Sequence, residues 1–329
     1  MKKSKIMVAL GLVASMVFMT GCASSGGSTD KKEAKYPNKQ ISMIIQAAPG
    51  GLSDTVARTV ASELQKTLGV PVVSTNKTGA AGAVAMSFLQ GSNPDGYTIG
   101  YVPVELAMVK ALGYANDVEP DGFTLLGRSN ISPATVTVRA DSPWKTIEEF
   151  IDYAKQNPSK IKVGNSGTGS IWHIAAATVE SATNTKFNHV PFDGAAPAIA
   201  ALMGSHIDAV TVSVSEVKSG VESGQLRVLS VVDENKSPFF PEVPTMKEKG
   251  YDIVVAAWGG FAAPKNLPKE VQDALIPAIE KAIQSESLKK IANERAFTVA
   301  YQNGEEFYKF AKSQFDFYMK QIPAMGIKK

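Results

Sequence analysis

Two α/β domains facing a ligand cleft are what this sequence predicts, on three observations. Apolar runs of strand length alternate with amphipathic stretches of helical length from Ile41 to Gln321. The runs are too numerous for one compact sheet, and 329 residues, 44% hydrophobic and 20% charged, suffice for two globular domains. Glycine turns end several runs and lead into helices, the place where open α/β sheets bind ligands. Such alternation implies parallel sheets covered by helices on both faces.

The chain opens with a segment outside the fold. Lys2, Lys3 and Lys5 precede an apolar stretch, Ile6 to Met19, that is short for a membrane span. Met19-Thr20-Gly21-Cys22 then resembles a bacterial lipobox, with Met19 where leucine is usual. Residues 1–21 read as a lipoprotein signal peptide, Cys22 as the lipidated N-terminus, and 22–35 as a polar, flexible tether. The protein is therefore expected outside the cytoplasm, lipid-anchored to the outer face of the bacterial cell membrane or periplasmic. Lys and Arg number 34 against 31 Asp and Glu, but the signal carries three lysines and no acid. The mature chain is close to neutral and gives no support to a nucleic-acid partner.

The elements follow in order. Ile41–Ile45 is a strand, broken by Pro49-Gly50-Gly51. Ser53 or Asp54 caps the next helix, in which Val56, Val60, Leu64 and Leu68 recur every four residues until Gly69 stops it. Val70–Ser74 is a second strand, and Asn76–Ala85 is a glycine turn running into a helix. A strand at Tyr97–Val102 precedes a short helix over Val104–Leu112. Phe123–Gly127 and Ala134–Arg139 read as separate strands, and Thr146–Asn157 as an amphipathic helix. The strand Ile161–Gly164 leads through Ser166–Ser170 into a helix from Ile171 to about Ala182. Val190–Gly194 is a strand and turn before an alanine-rich helix ending at Gly204. Further strands are Ile207–Val212, Arg227–Val232 and Ile253–Ala257, and the closing helices are Pro268–Ser285, Glu286–Ala296 and Gly304–Gln321. The middle holds a complete set of elements, so 36–130 with 229–329 forms one domain and 131–228 the other. Two chain crossings make the hinge.

Three turns carry the binding reading: Pro49-Gly50-Gly51-Leu52-Ser53-Asp54, Ser166-Gly167-Thr168-Gly169-Ser170, and Phe192-Asp193-Gly194. A helix start leaves backbone N–H groups without partners, and its dipole favours an anion. An ordinary βα connection also accounts for each turn taken singly, and none is a GxxxxGK[ST] loop or a GxGxxG fingerprint. Enzyme chemistry has little to draw on, and neither a metal nor a cofactor is expected. Cys22 is the only cysteine, which excludes an intramolecular disulfide, a cysteine-built zinc site and a thiol nucleophile in the body of the chain. His173, His189 and His206 lack metal-pair spacing, and no GxSxG elbow is present. His173 reads as a structural or ligand-contacting residue. Trp258-Gly-Gly-Phe261-Ala-Ala-Pro264 places two aromatics beside a glycine bend, either as a pocket wall or as core packing. Glu105 reads as surface; facing the cleft, it would favour a ligand with an amino group.

Several blocks in order resemble the solute-binding proteins of tripartite tricarboxylate transporters, the Bug family. They are Ala48–Arg58, Asn76–Gly82, Pro94–Thr98, Gly164–Ser170 with His173, Val190–Pro197, Gly224–Arg227, Pro241–Thr245 with Gly250, and Trp258–Pro264. The resemblance runs from Tyr36 to Ile327. It implies a two-lobed fold of the type II periplasmic-binding-protein class, with a carboxylate held by the Pro49–Asp54 and Ser166–Ser170 loops. The expected function is a non-enzymatic receptor delivering a small organic carboxylate to integral membrane transporter subunits, acting as a monomer. Leu52-Ser53 stands where Gly/Pro-Thr is usual, and Phe192-Asp193 where Tyr-Lys or Tyr-Arg is. These departures remove a phenolic hydroxyl and a cation and point to a small or monocarboxylate ligand. The binding component of an ABC importer or of a chemosensory system is the alternative, since the same pocket would serve it.

Overall fold

The computed structural model describes residues 35–47 and 49–326. The signal segment, Cys22, nearly all of the tether, Ala48 and residues 327–329 lie outside the described residues. In chain order the elements are β1 (Ile41–Ile45), α1 (Leu52–Leu68), β2 (Val72–Asn76), α2 (Ala83–Gln90), β3 (Thr98–Pro103), β4 (Phe123–Arg139), α3 (Ile147–Gln156), β5 (Lys162–Asn165), α4 (Ile171–Thr183) and β6 (Asn188–Pro191). Then come α5 (Ala195–Met203), β7 (Ala209–Ser213), α6 (Val214–Glu222), β8 (Leu226–Val232), β9 (Ala256–Pro264), α7 (Lys269–Ile283), α8 (Glu286–Arg295), β10 (Thr298–Asn303) and α9 (Gly304–Ala324).

Most of these form where local chemistry demands. The β1 side chains are nearly all buried. α1 stops at Gly69, whose φ of 72° is the left-handed geometry glycine adopts without strain. α3 starts in a capping box, Thr146 accepting from Glu149 N–H while the Glu149 carboxylate accepts from Thr146 N–H.

The fold is α/β and two-lobed, but the sheets are mixed rather than wholly parallel. β1 pairs in parallel with β2 and β3, and β5 in parallel with β6 and β7. β9 and β4 run antiparallel to their neighbours and join the two parallel sets. The two strands expected around residue 130 are one continuous strand, β4. Its first part, to Pro133, pairs with β9, and with β10 on the other side; from Ala134 onward both neighbours change, to β7 and β8. Pro133, which has no N–H to donate, stands at that exchange. The boundary drawn at 130/131 thus falls inside β4, and that at 228/229 inside β8. The chain returns along 233–255, tied by the Val255 N–H donated to Val232 O at 3.0 Å.

Other differences are local. β9 begins later than Ile253, and Trp258–Pro264 is strand rather than a bend. The expected Val104–Leu112 helix is a single 3-10 turn over Val104–Ala107. β10 and α6 carried no sequence expectation. The C-terminal helices complete the first sheet: Val56, Val60 and Leu64 of α1 bury with Leu275 and Ile279 of α7. Full burial of each such side chain contributes roughly 1.5–3 kcal/mol. On the opposite face, α9 packs Phe307 and Phe310 edge-on against Trp258.

Candidate ligand-binding cleft

A cleft of about 940 Å³ opens at the carboxyl ends of the parallel strands. Residues at the starts of α1 (Leu52, Ser53), α4 (Ile171, Trp172), α5 (Ala195, Ala196) and α6 (Ser215, Glu216) line it. Each such helix turn presents N–H groups that have no carbonyl partner within the helix.

The first loop is fixed from beneath. Asp54 is buried at the third position of α1. Its Oδ2 accepts from Gly50 N–H at 3.0 Å; its Oδ1 accepts from Arg58 Nε at 2.9 Å and from Asn76 Nδ2 at 2.8 Å. Burial works against its charge, but these donors outweigh it and hold the carboxyl below the usual carboxylate range. Asn76 Nδ2 also donates to Ala47 O, and Arg295 Nη1 to Gly50 O, so both arms of the turn are tied. The helix cap is Gly51, without a side-chain hydrogen bond, rather than the expected Ser53 or Asp54. The Leu52 and Ser53 N–H groups at the cleft wall are therefore not used by a cap. Ser53 Oγ accepts from Gln46 Nε2 at 3.0 Å.

The second loop is built in the same way. Asn165 Oδ1 accepts from Gly167 N–H at 3.0 Å, and His173 Nδ1 accepts from Gly169 N–H at 3.1 Å. Ser170 caps α4, its Oγ accepting from His173 N–H. Gly167 and Gly169 have φ of 117° and 77°, which the turn requires and glycine permits. Burial, with His189 beside it at 5.0 Å between ring centroids, pushes the His173 ring down to about 4, so it is neutral at pH 7 and able to accept. Ser166, Ser170, Ile171 and Trp172 line the cleft.

Of the residues proposed from sequence, Gly51, Leu52, Ser53, Ser166 and Ser170 therefore line the cleft. Pro49, Gly50, Asp54, Gly167, Thr168, Gly169 and His173 sit in or behind the two loops rather than on its wall. Phe192, Asp193 and Gly194 also stand off the wall. Phe192 packs over Gly164 and donates its N–H to Asn165 O, supporting the second loop, and Asp193 is exposed.

Several lining residues carried no sequence proposal. Thr78 through Gly82 form one wall, and four consecutive residues there, Gly79 to Gly82, have positive φ, including Ala80 at 46° and Ala81 at 51°. Such angles in alanine are strained and cluster at functional loops. Asn130 and Ser132 come from β4, where with Ser129 they form a buried polar run in mid-strand; that clustering was the available signal. Tyr101 Oη donates to Asn130 Oδ1 at 2.9 Å. Ser213 and Glu216 form an S-x-x-E capping box, a signature readable in the sequence. Trp258 is both things expected of it, core against α9 and part of the cleft wall, whereas Phe261 is wholly core. Glu105 is not surface. It lines the cleft, and burial pushes its carboxyl up to about 7.

Similarity to known proteins converges on one family. The description "Tripartite tricarboxylate transporter family receptor" (TctC) matches residues 56–327. A Cupriavidus necator protein of the UPF0065 group is 32% identical over 281 residues, covering 84% of each chain. A TctC solute-binding protein from Polaromonas is 37% identical with a TM-score of 0.79, covering 88% of this chain and 100% of that one. The periplasmic binding protein BugD is 29% identical with a TM-score of 0.75, covering 89% of this chain and 100% of its own. With this cleft in place between its lobes, the chain belongs to the tripartite tricarboxylate transporter receptor family, the TctC or Bug solute-binding proteins.

Proposed function

We propose that this receptor captures a small organic carboxylate between its lobes and delivers it to the membrane subunits of a tripartite tricarboxylate transporter. One observation carries the reading: Leu52 and Ser53, in a first turn of α1 without a side-chain cap, line the same cleft as Ile171 and Trp172 in the first turn of α4. Helix N-termini of this kind favour an anion. A carboxylate has two oxygens and can take donors from both lobes at once. A ligand can favour a closed form only by binding it better than an open one, and donors contributed by two lobes supply such a difference. The lobes correspond to 36–130 with 229–329, and 131–228, with the two crossings moved to Pro133–Ala134 of β4 and to the 233–255 return after β8. Cys22 anchors the chain by lipid outside the cytoplasm, and the receptor works as a monomer without catalytic turnover.

The test is thermal denaturation of the purified protein across a panel of mono-, di- and tricarboxylates and amino acids. At least one member is expected to raise the melting temperature in a concentration-dependent way. Silence across the whole panel overturns the proposal.

A further inference from the structure

We infer that the ligand's far end, opposite its carboxylate, is a hydrogen-bond-donating amino or amide group received by Glu105, so that the cleft selects against di- and tricarboxylates. This rests on the carboxylate reading above and sharpens it to a substrate class.

The cleft floor is one patch of three neighbouring strands. Register puts Pro103 of β3, Gly259 of β9 and Asn130 of β4 in a row, with Glu105 two residues beyond Pro103. Charge on the cleft wall is lopsided. The lining cations are Lys218 and Arg295, against Glu105, Glu216, Glu222 and Glu294. Both cations are engaged, Lys218 with Glu222 at 3.0 Å and Arg295 with Gly50 O at 3.3 Å. Glu216 is committed to its capping box, and Glu294 lies 3.9 Å from Lys290. Among the described residues, Glu105 alone of the four has neither an ion pair nor a capping role. A desolvated carboxylate without a cation is costly, and its raised pKa is that cost expressed as proton affinity. A second carboxylate on this floor adds like charge to ionised Glu105, the form present above pH 7, whereas an ammonium or amide N–H stabilises that form.

A second observation is independent of charge. The Oε1 atom of Gln46, Oγ of Ser132 and Nε1 of Trp258 are buried and have no hydrogen-bond partner among the described residues. All three residues line this cleft. Buried polar groups are ordinarily satisfied, so these three mark polar recognition in the cleft: Gln46 beside Ser53 at the carboxylate seat, and Ser132 and Trp258 on the floor strands beyond it.

Calorimetric titration of the purified protein with matched ligands separates the possibilities. One set is succinate, succinamate and 4-aminobutyrate; another is glutarate and 5-aminopentanoate; the neutral α-amino acids and citrate complete it. An amino or amide carboxylate is expected to bind at least about tenfold tighter than the dicarboxylate of equal length. Glu105→Gln is expected to weaken the amine by about tenfold or more and to leave the dicarboxylate unchanged or improved. Tightest binding of a dicarboxylate or citrate by the wild type overturns the inference while leaving the carboxylate seat standing. So does an unchanged preference in a folded Glu105→Gln protein. Absence of binding by every carboxylate overturns both.

Discussion

Asp54 shows how a single side chain prepares a site it does not touch. It takes hydrogen bonds from Gly50, Arg58 and Asn76 and thereby fixes the turn that presents Leu52 and Ser53. Asp54→Ala is expected to destabilise the protein by about 2–3 kcal/mol, since charge-assisted bonds are lost together and their donors are left unpaired. It also weakens ligand binding. Asp54→Asn keeps one acceptor and falls in between; chemical denaturation with titration of the panel hit checks both. Equal stability of all three proteins contradicts the role. His173 does the same work for the second loop through a neutral ring. Its folded pKa is depressed from 6.5 to about 4 by burial and by His189, so between these values the unfolded chain binds the extra proton. Stability is full above pH 6.5 and falls as pH drops toward 4. His173→Gln is expected to flatten that acid limb by about 1–2 kcal/mol, after allowance for its partial exposure. An unaltered stability–pH profile from pH 4 to 7 counts against it.

At the scale of the element, the cleft is made by helix starts and by one strained turn. Gly79–Gly82 holds four positive φ angles in succession, two of them at alanine. Ala81→Gly removes the Cβ that disfavours this geometry and is expected to stabilise the fold by about 1 kcal/mol. If the strain serves to hold the wall rigid, the same change lowers ligand affinity; titration beside a denaturation curve measures both. Most helices and strands were legible because their signals are local, as in the amphipathic α3 and the Gly69 stop of α1; α6 was missed, and Val104–Leu112 proved to be one 3-10 turn. β4 was not, because Arg128-Ser-Asn-Ile-Ser132 breaks its apolar pattern with polar residues, of which Asn130 and Ser132 are buried at the cleft. β10 was missed because it is half-buried against β4 and lacks an apolar run. The antiparallel direction of β9 is set by tertiary pairing, which no local period records.

For the whole molecule, β9 and β4 join the two parallel sets of strands, and loops more than 110 residues apart in sequence line one cleft. The two principal glycine turns were readable from sequence because a glycine followed by a helix start is a backbone requirement. The floor was not, because Glu105, Asn130, Ser132 and Trp258 meet only through the register of three strands. One carboxylate is proposed to engage helix starts from both lobes. Amide hydrogen exchange, with and without the panel carboxylate giving the largest thermal shift, measures this directly. Slowed exchange is expected together in the segments containing Leu52–Ser53 and Ile171–Trp172. Protection confined to one of the two segments, or absent from both while the ligand is bound, contradicts the claim.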